Sequence, residues 1–252
     1  MSNLIMAELF KLRKDRAFRM LVYLLLFIAA AYPIIIYIDN QSDGGVVHGA
    51  DFFLESMAGN TYIIKFGTAI LAGFFISSEY STGVMKTIAS SGSSRIRIFI
   101  AKLFGFTVGT LVISIIFPIV STLITTVLSG FGELPAEAAA GYIPGTIGLM
   151  LLYAAAFAAI AALFATIFTD SGKTIGFLIF LFLMIDSILP GLGQYVHFLG
   201  TIYDYSVFKL LLEITKFHFG SGELLEILLV PVLTIAAFGL LGVLVYRRKE
   251  IK

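Results

Sequence analysis

The residues that could do chemistry are few and far apart. The chain has no cysteine, so thiol catalysis, disulfides and cysteine metal sites are excluded. Its histidines, His48, His197 and His218, are widely separated and none sits in an HExxH pair that could hold zinc. Asp186 is a carboxylate inside an apolar stretch, but carboxylate chemistry of the shared-proton kind needs a second acid beside it. Ser171-Gly172-Lys173-Thr174 matches the last four positions of a phosphate-binding loop. The full pattern needs glycine five residues before Gly172, and Ile167 stands there. The segment also opens directly into an apolar run, so it reads as a turn in which Asp170 or Ser171 caps the next helix. No other stretch offers a nucleotide-binding loop. The expectation is a chain that is not an enzyme, has no catalytic residue and no metal site, and binds no cofactor itself.

Six long apolar runs dominate the remainder: Met20–Ile38, Phe66–Ser78 (extendable past Lys65 to about Met57), Leu103–Ser129, Ala138–Phe168, Thr174–Ile185 and Ile227–Tyr246. A hydrocarbon layer of roughly 30 Å needs about 20 helical residues. Four runs meet that length outright. The second requires Lys65 to snorkel outward along its stem, and the fifth requires Asp186 to be tolerated within it. Hydrophobic residues make up 59% of the chain and charged residues 13%, about half the charged share of a soluble domain. The expected fold class is therefore all-α: a polytopic membrane protein with six transmembrane helices forming one domain over residues 1–252. Met20–Ile38 is too long for a signal-peptide core, and Tyr32-Pro33 is a poor cleavage site.

Charge orients the spans. The N-terminus carries Lys11, Arg13, Lys14, Arg16 and Arg19. The loop between runs 2 and 3 carries Lys86, Arg95, Arg97 and Lys102, the loop between runs 4 and 5 carries Lys173, and the C-terminus carries Arg247, Arg248, Lys249 and Lys252. The opposite side has only Lys65, Lys209 and Lys216, amid Asp39, Asp43, Asp51, Glu55, Glu133, Glu137, Asp204, Glu213 and Glu223. Basic loops stay cytoplasmic, so both termini are expected inside, in a cell membrane.

Two segments stand out beside the spans. Residues 1–19 read as an amphipathic interfacial helix, with Ile5, Leu9 and Leu12 on one stripe, Lys11 and Lys14 on the opposite arc, and Met6 and Phe10 off the stripe. Residues 78–97 open with Ser78 and place Glu79 right at the end of a span. Next come a turn at Gly83, a short helix-capable piece, a break at Gly92 with its serines, and Arg95. A loop that only reversed the chain could be about 4–6 residues long; this one has room for a small amphipathic element that suits docking to a partner. Within the spans, Ala154/Ala158/Ala162, Ala155/Ala159 and Gly105/Gly109 place small residues at helix-packing spacing. Pro33, Pro118 and Pro231 sit inside spans, where each should kink its helix.

Ala7-Glu8-Leu9-Phe10-Lys11-Leu12-Arg13-Lys14 resembles the elbow helix of ABC-2 type permeases, the membrane subunits of a class of ABC exporters. Glu79-Tyr80-Ser81-Thr82-Gly83 with Lys86, then Ser93-Ser94-Arg95 and Lys102, resembles that family's first cytoplasmic loop. The six spans and the long connection between spans 5 and 6 agree with it. The resemblance implies a cytoplasmic ABC ATPase subunit that holds ATP and Mg, a second permease subunit forming a homo- or heterodimer, and short re-entrant or interfacial helices over 194–223. It implies no nucleic-acid partner. On this reading Glu79 and Arg95 anchor a coupling helix within residues 78–97 that also includes Gly83 and Lys86; Tyr80, Val84, Met85 and Ile88 fill an ATPase groove, and Asp170 and Lys173 make a secondary contact. Asp186 lines the pathway or the dimer interface, or is hydrated at an outer mouth. The implied direction is export, with an amphipathic peptide or antibiotic favoured, in toxin export or self-immunity; ions, lipids and polysaccharides stay open. The alternative is an ion- or proton-coupled secondary transporter using Asp186, for which spans 1–3 offer no evident counterpart to that charge. A structural scaffold would leave the 78–97 segment unexplained.

Overall fold

A computed structural model describes residues 1–43, 45–89, 92–138 and 141–249. Ser90 and Ser91 of the serine cluster, and Lys252, lie outside the described residues. The described residues are predominantly helical, with no strand among them. In hydrocarbon every backbone polar group must be satisfied within its own segment, which favours helix for each apolar run. Helix α1 (Ser2–Lys14) precedes span 1, α2 (Arg16–Asp43). Span 2 consists of α3 (Gly49–Ala72), a π-helical turn (Gly73–Ser77) and α4 (Ser78–Ser81). The short α5 (Val84–Ala89) leads to span 3, α6 (Arg95–Ser129). Spans 4 and 5 are α7 (Tyr142–Phe168) and α8 (Ser171–Gly193). The short α9 (His197–Asp204) and α10 (Val207–Glu213) come before span 6, α11 (Ser221–Arg248). Among the described residues, six helices are long and apolar enough to cross a membrane.

Spans 2 and 4 form the interior, while spans 1, 5 and 6 leave most of their apolar surface outward. Ala154, Ala158 and Ala162 are fully buried, and with Ala159 they let neighbouring helices approach α7 closely. Gly105 and Gly109 serve α1 in the same way. A Cβ at Gly105 would lie 2.9 Å from Glu8 Cβ, and one at Gly109 would lie 2.9 Å from both Leu12 Cδ1 and Leu71 Cδ2. Side chains at these positions would push α1 off span 3.

Two intrahelical prolines are compensated by neighbours. Proline lacks an N–H, so the carbonyl four residues earlier loses its helical partner. Pro118 frees Ser114, whose carbonyl accepts Asn60 Nδ2 at 2.8 Å. Pro231 frees Ile227, whose carbonyl accepts the Tyr153 hydroxyl at 3.1 Å. Each bond ties one span to another between buried residues, where an unpaired carbonyl would be costly. Pro33 and Pro190 also lie inside helices, α2 and α8.

The π-helical turn adds a residue to one turn of span 2 and so rotates the remainder of that helix by about 100°. The Gly73 carbonyl accepts Ser78 N–H five residues on, and also the Ser171 hydroxyl at 2.8 Å. The Ser77 hydroxyl donates to the Ala165 carbonyl at 3.0 Å and lies 2.7 Å from Thr174 Oγ1. Span 2 is thus pinned to the α7–α8 turn just before it delivers Glu79 and Tyr80.

Candidate functional site: a buried charge node beside the 78–97 segment

Four charged side chains from three elements meet at the end of the bundle that carries both termini. Glu8 and Lys11 come from α1, Glu79 from α4, and Lys102 from α6. Lys102 Nζ donates to Glu8 Oε1 at 3.0 Å and also to Glu79 Oε2. Lys11 Nζ donates to Glu79 Oε1 and to the Phe75 carbonyl at 2.7 Å, and it lies 3.8 Å from the Phe75 ring centroid. The second Glu8 oxygen is 3.7 Å from Lys11 Nζ. Two carboxylates face two ammonium groups, so the node is neutral overall. Side-chain exposure is 2% for Lys102 and 5% for Glu79, against 30% for Lys11. Burial first, and then the Lys102 ammonium, push Lys11 below the ordinary lysine range, while Glu79 and Glu8 act in the opposite direction.

Lys11 and Glu8 therefore correct the expected amphipathic pattern of α1. Lys11 does not sit on a solvent arc; it turns inward to Glu79. Glu8 is buried, Ile5 and Leu9 are half-buried, and Met6 and Phe10 are exposed. Glu8 and Lys11 are three residues apart and share a helix face, a spacing that could have singled them out.

The 78–97 segment is locked differently from what its sequence suggests. Gly83 has φ +76°, the left-handed turn that glycine accepts, and α5 begins directly after it. Met85 does not face outward. Its side chain is fully buried against Ile98, Phe99 and Tyr246, and Tyr246 Oη lies 3.2 Å from its sulfur. Tyr80 and Ile88 are half-buried beside the same cluster. Val84 and Lys86 are exposed. Arg95 is engaged at the end of α11, where its Nη1 donates to the carbonyls of Arg247 at 3.1 Å and Lys249 at 2.7 Å. Lys249 in turn donates to the carbonyls of Thr166 and Ile167 at the end of α7, with its ammonium 4.6 Å from the Tyr80 ring centroid. Basic side chains thus satisfy the orphan carbonyls of two helix C-termini. Burial pushes the Lys249 ammonium down to about 8.

The α7–α8 turn lies close by, through the bonds of Ser171 and Thr174 to the π-helical turn. Asp170 caps α8 by accepting Lys173 N–H at 2.9 Å, and the side chains of Asp170 and Lys173 are exposed. Ser171-Gly172-Lys173-Thr174 is the first turn of a helix.

Asp186 is not solitary. Helix α8 continues through it to Gly193, and Lys65 Nζ in span 2 lies 2.5 Å from Asp186 Oδ2. Lys65 does not snorkel outward; its side chain is 3% exposed. Its ammonium is 5.8 Å from the Phe157 ring centroid and 5.5 Å from that of Phe208 in α10. Phe157, Phe182 and Phe208 pack mutually at centroid distances of 5.1–5.8 Å. The other Asp186 oxygen is buried and has no hydrogen-bond partner among the described residues.

Together these features define a multi-pass helical membrane protein whose charged elements join its spans to one loop at the terminal end. No group of three or more potential metal ligands occurs among the described residues. The family of ABC-2 family transporter proteins matches residues 4–187, and the chain belongs to it. That family comprises transport membrane subunits, with an ATPase on a separate partner subunit. No curated protein matches the sequence.

Proposed function

We propose that this chain is the membrane-spanning permease subunit of an ATP-driven ABC exporter. Two permease subunits, identical or different, enclose the pathway, and cytoplasmic ATPases holding ATP and Mg dock at the end that carries both termini. The observation that carries this reading is the buried node. Glu79 stands at the base of the α4–α5 segment and bonds to both α1 and α6. An ATPase pressing on exposed Val84 and Lys86 would move α5 and, through Glu79, Lys11 and Lys102, would carry α1 and span 3 with it. Asp170 and Lys173 provide a second exposed contact on the neighbouring turn. Arg95 and Lys249 hold the ends of α11 and α7 to the same platform. The substrate we favour is an amphipathic peptide or antibiotic, in toxin export or self-immunity, which rests on the resemblance to ABC-2 type permeases and on no particular residue of this chain.

Co-expression with the ATPase encoded beside it tests the reading. The two chains should elute together from mild detergent with ATP hydrolysis, and Glu79→Ala with Arg95→Ala should uncouple them. Absence of any associated ATPase would overturn it. A secondary transporter driven by ions or protons is the second reading, favoured by the Lys65–Asp186 pair inside the spans.

A further inference from the structure

A groove of about 820 Å³ opens between spans 1 and 2 where α1 turns into α2. Its rim carries Lys14, Arg16 and Ser78, and its walls are Met20 and Leu24 of span 1 with Ile70 and Phe74 of span 2. Asp15, the acid at this rim, is engaged: its Oδ1 accepts Phe18 N–H at 2.8 Å and caps α2. Neither Lys14 nor Arg16 has a carboxylate partner among the described residues. The walls descend in parallel. Arg16 to Leu24 and Ser78 to Ile70 each cover eight residues, roughly 12 Å along a helix. A second groove, of about 550 Å³, opens on the other side of the α1–α2 turn, with Arg13 and Arg19 at its polar end and Phe18 and Val112 on its wall.

We propose that the α1–α2 groove is a binding site for an anionic phospholipid. The headgroup phosphate sits on Lys14 and Arg16, beside Ser78, whose hydroxyl is given to the Phe74 carbonyl, and an acyl chain runs down the Met20–Leu24 and Ile70–Phe74 walls. Charge complementarity selects the headgroup, because paired cations next to a span attract anionic lipid. The apolar walls select a lipid over a free phosphate ion, since an ion would leave them uncovered. The bound lipid would brace α1, and hence Glu8 and Lys11, against spans 1 and 2.

The test is lipid retention by the purified full chain, followed by native mass spectrometry. Phosphatidylglycerol is titrated against phosphatidylcholine of the same acyl chains, with inorganic phosphate as competitor. Lys14→Gln with Arg16→Gln should weaken phosphatidylglycerol retention by roughly thirtyfold, the loss expected for two cations at an anionic surface. Arg97→Gln with Arg248→Gln removes the same charge from exposed positions at the same end and should leave retention unchanged. Phe74→Ser, which keeps every charge, should also reduce it. Equal retention of the two lipids, an equal loss in the Arg97/Arg248 variant, or displacement by inorganic phosphate would overturn the proposal. So would a shift from dimer to monomer in the Lys14/Arg16 variant without loss of lipid, which would assign the groove to a second copy of the chain.

Discussion

Lys65 of span 2 and Asp186 of span 5 form an ion pair 2.5 Å long, 121 positions apart in sequence. The Phe157, Phe182 and Phe208 rings close around it, so α10 is seated on the same pair that joins the two spans. Removing one partner of a buried pair leaves the other charge uncompensated, at about 3–5 kcal/mol. Lys65→Met alone should therefore destabilise the protein by that order, and Asp186→Leu added to it should recover more than half of the loss. Thermal unfolding in detergent measures both. A double variant as unstable as the single one would mean that the pair contributes through packing and not through charge.

The node at Glu79 should rank its lysines by burial. Lys102 is nearly inaccessible and contacts both carboxylates, whereas Lys11 is partly exposed. Lys102→Met should destabilise by about 3–5 kcal/mol, and Lys11→Met by clearly less, because water screens part of the exposed charge. Glu79→Gln should fall nearer to Lys102→Met. Chemical denaturation of the three variants gives the order.

Tyr153 and Ile227 offer a cleaner test of how span 6 is held. Tyr153→Phe leaves the Ile227 carbonyl without a donor, at about 1–3 kcal/mol. Pro231→Ala restores the backbone N–H that this carbonyl lacks. In the Pro231→Ala background, Tyr153→Phe should therefore cost much less. A double-mutant cycle on stability gives the coupling directly, and strict additivity would contradict the assignment.

Lys249 makes docking of the α11 end depend on pH. Docked, its ammonium is lowered to about 8; free, it titrates at the ordinary 10.5. Between these values the undocked state binds more protons, so docking strengthens as pH rises through that window. Below about pH 8 the full burial penalty on the charge is present. Hydrogen exchange of residues 244–249 should show growing protection from pH 8 to 10, after correction for intrinsic rates, and Lys249→Gln should flatten the trend.

Much of this architecture can be read from the residues. The apolar runs locate all six spans, because a helix in hydrocarbon needs length and apolarity more than any particular neighbour. The α7 alanines and Gly105/Gly109 mark close helix approach in advance. Asp170 at the cap of α8 and Gly83 at the turn follow from their residue types. The charge pairing does not, because it depends on which helices become neighbours. Lys65 and Asp186 each look like a defect in a separate run, and only the contact of span 2 with span 5 makes them partners. Met85 looks like a surface anchor until Phe99 and Tyr246 are brought over it. The π-helical turn has no sequence signal that distinguishes Gly73–Ser77 from ordinary helix, yet it sets the direction of Glu79.

The most direct test uses the absence of cysteine from the chain. Single cysteines can be placed at Val84, exposed on α5, and at Tyr195, 87% exposed at the opposite end. The chain is co-expressed in membranes with a candidate ABC ATPase and treated with a short thiol-to-amine cross-linker. The account predicts that Val84→Cys yields a permease–ATPase adduct and Tyr195→Cys does not. An adduct at Tyr195 alone, or none at Val84 while the two chains still co-purify, would contradict it.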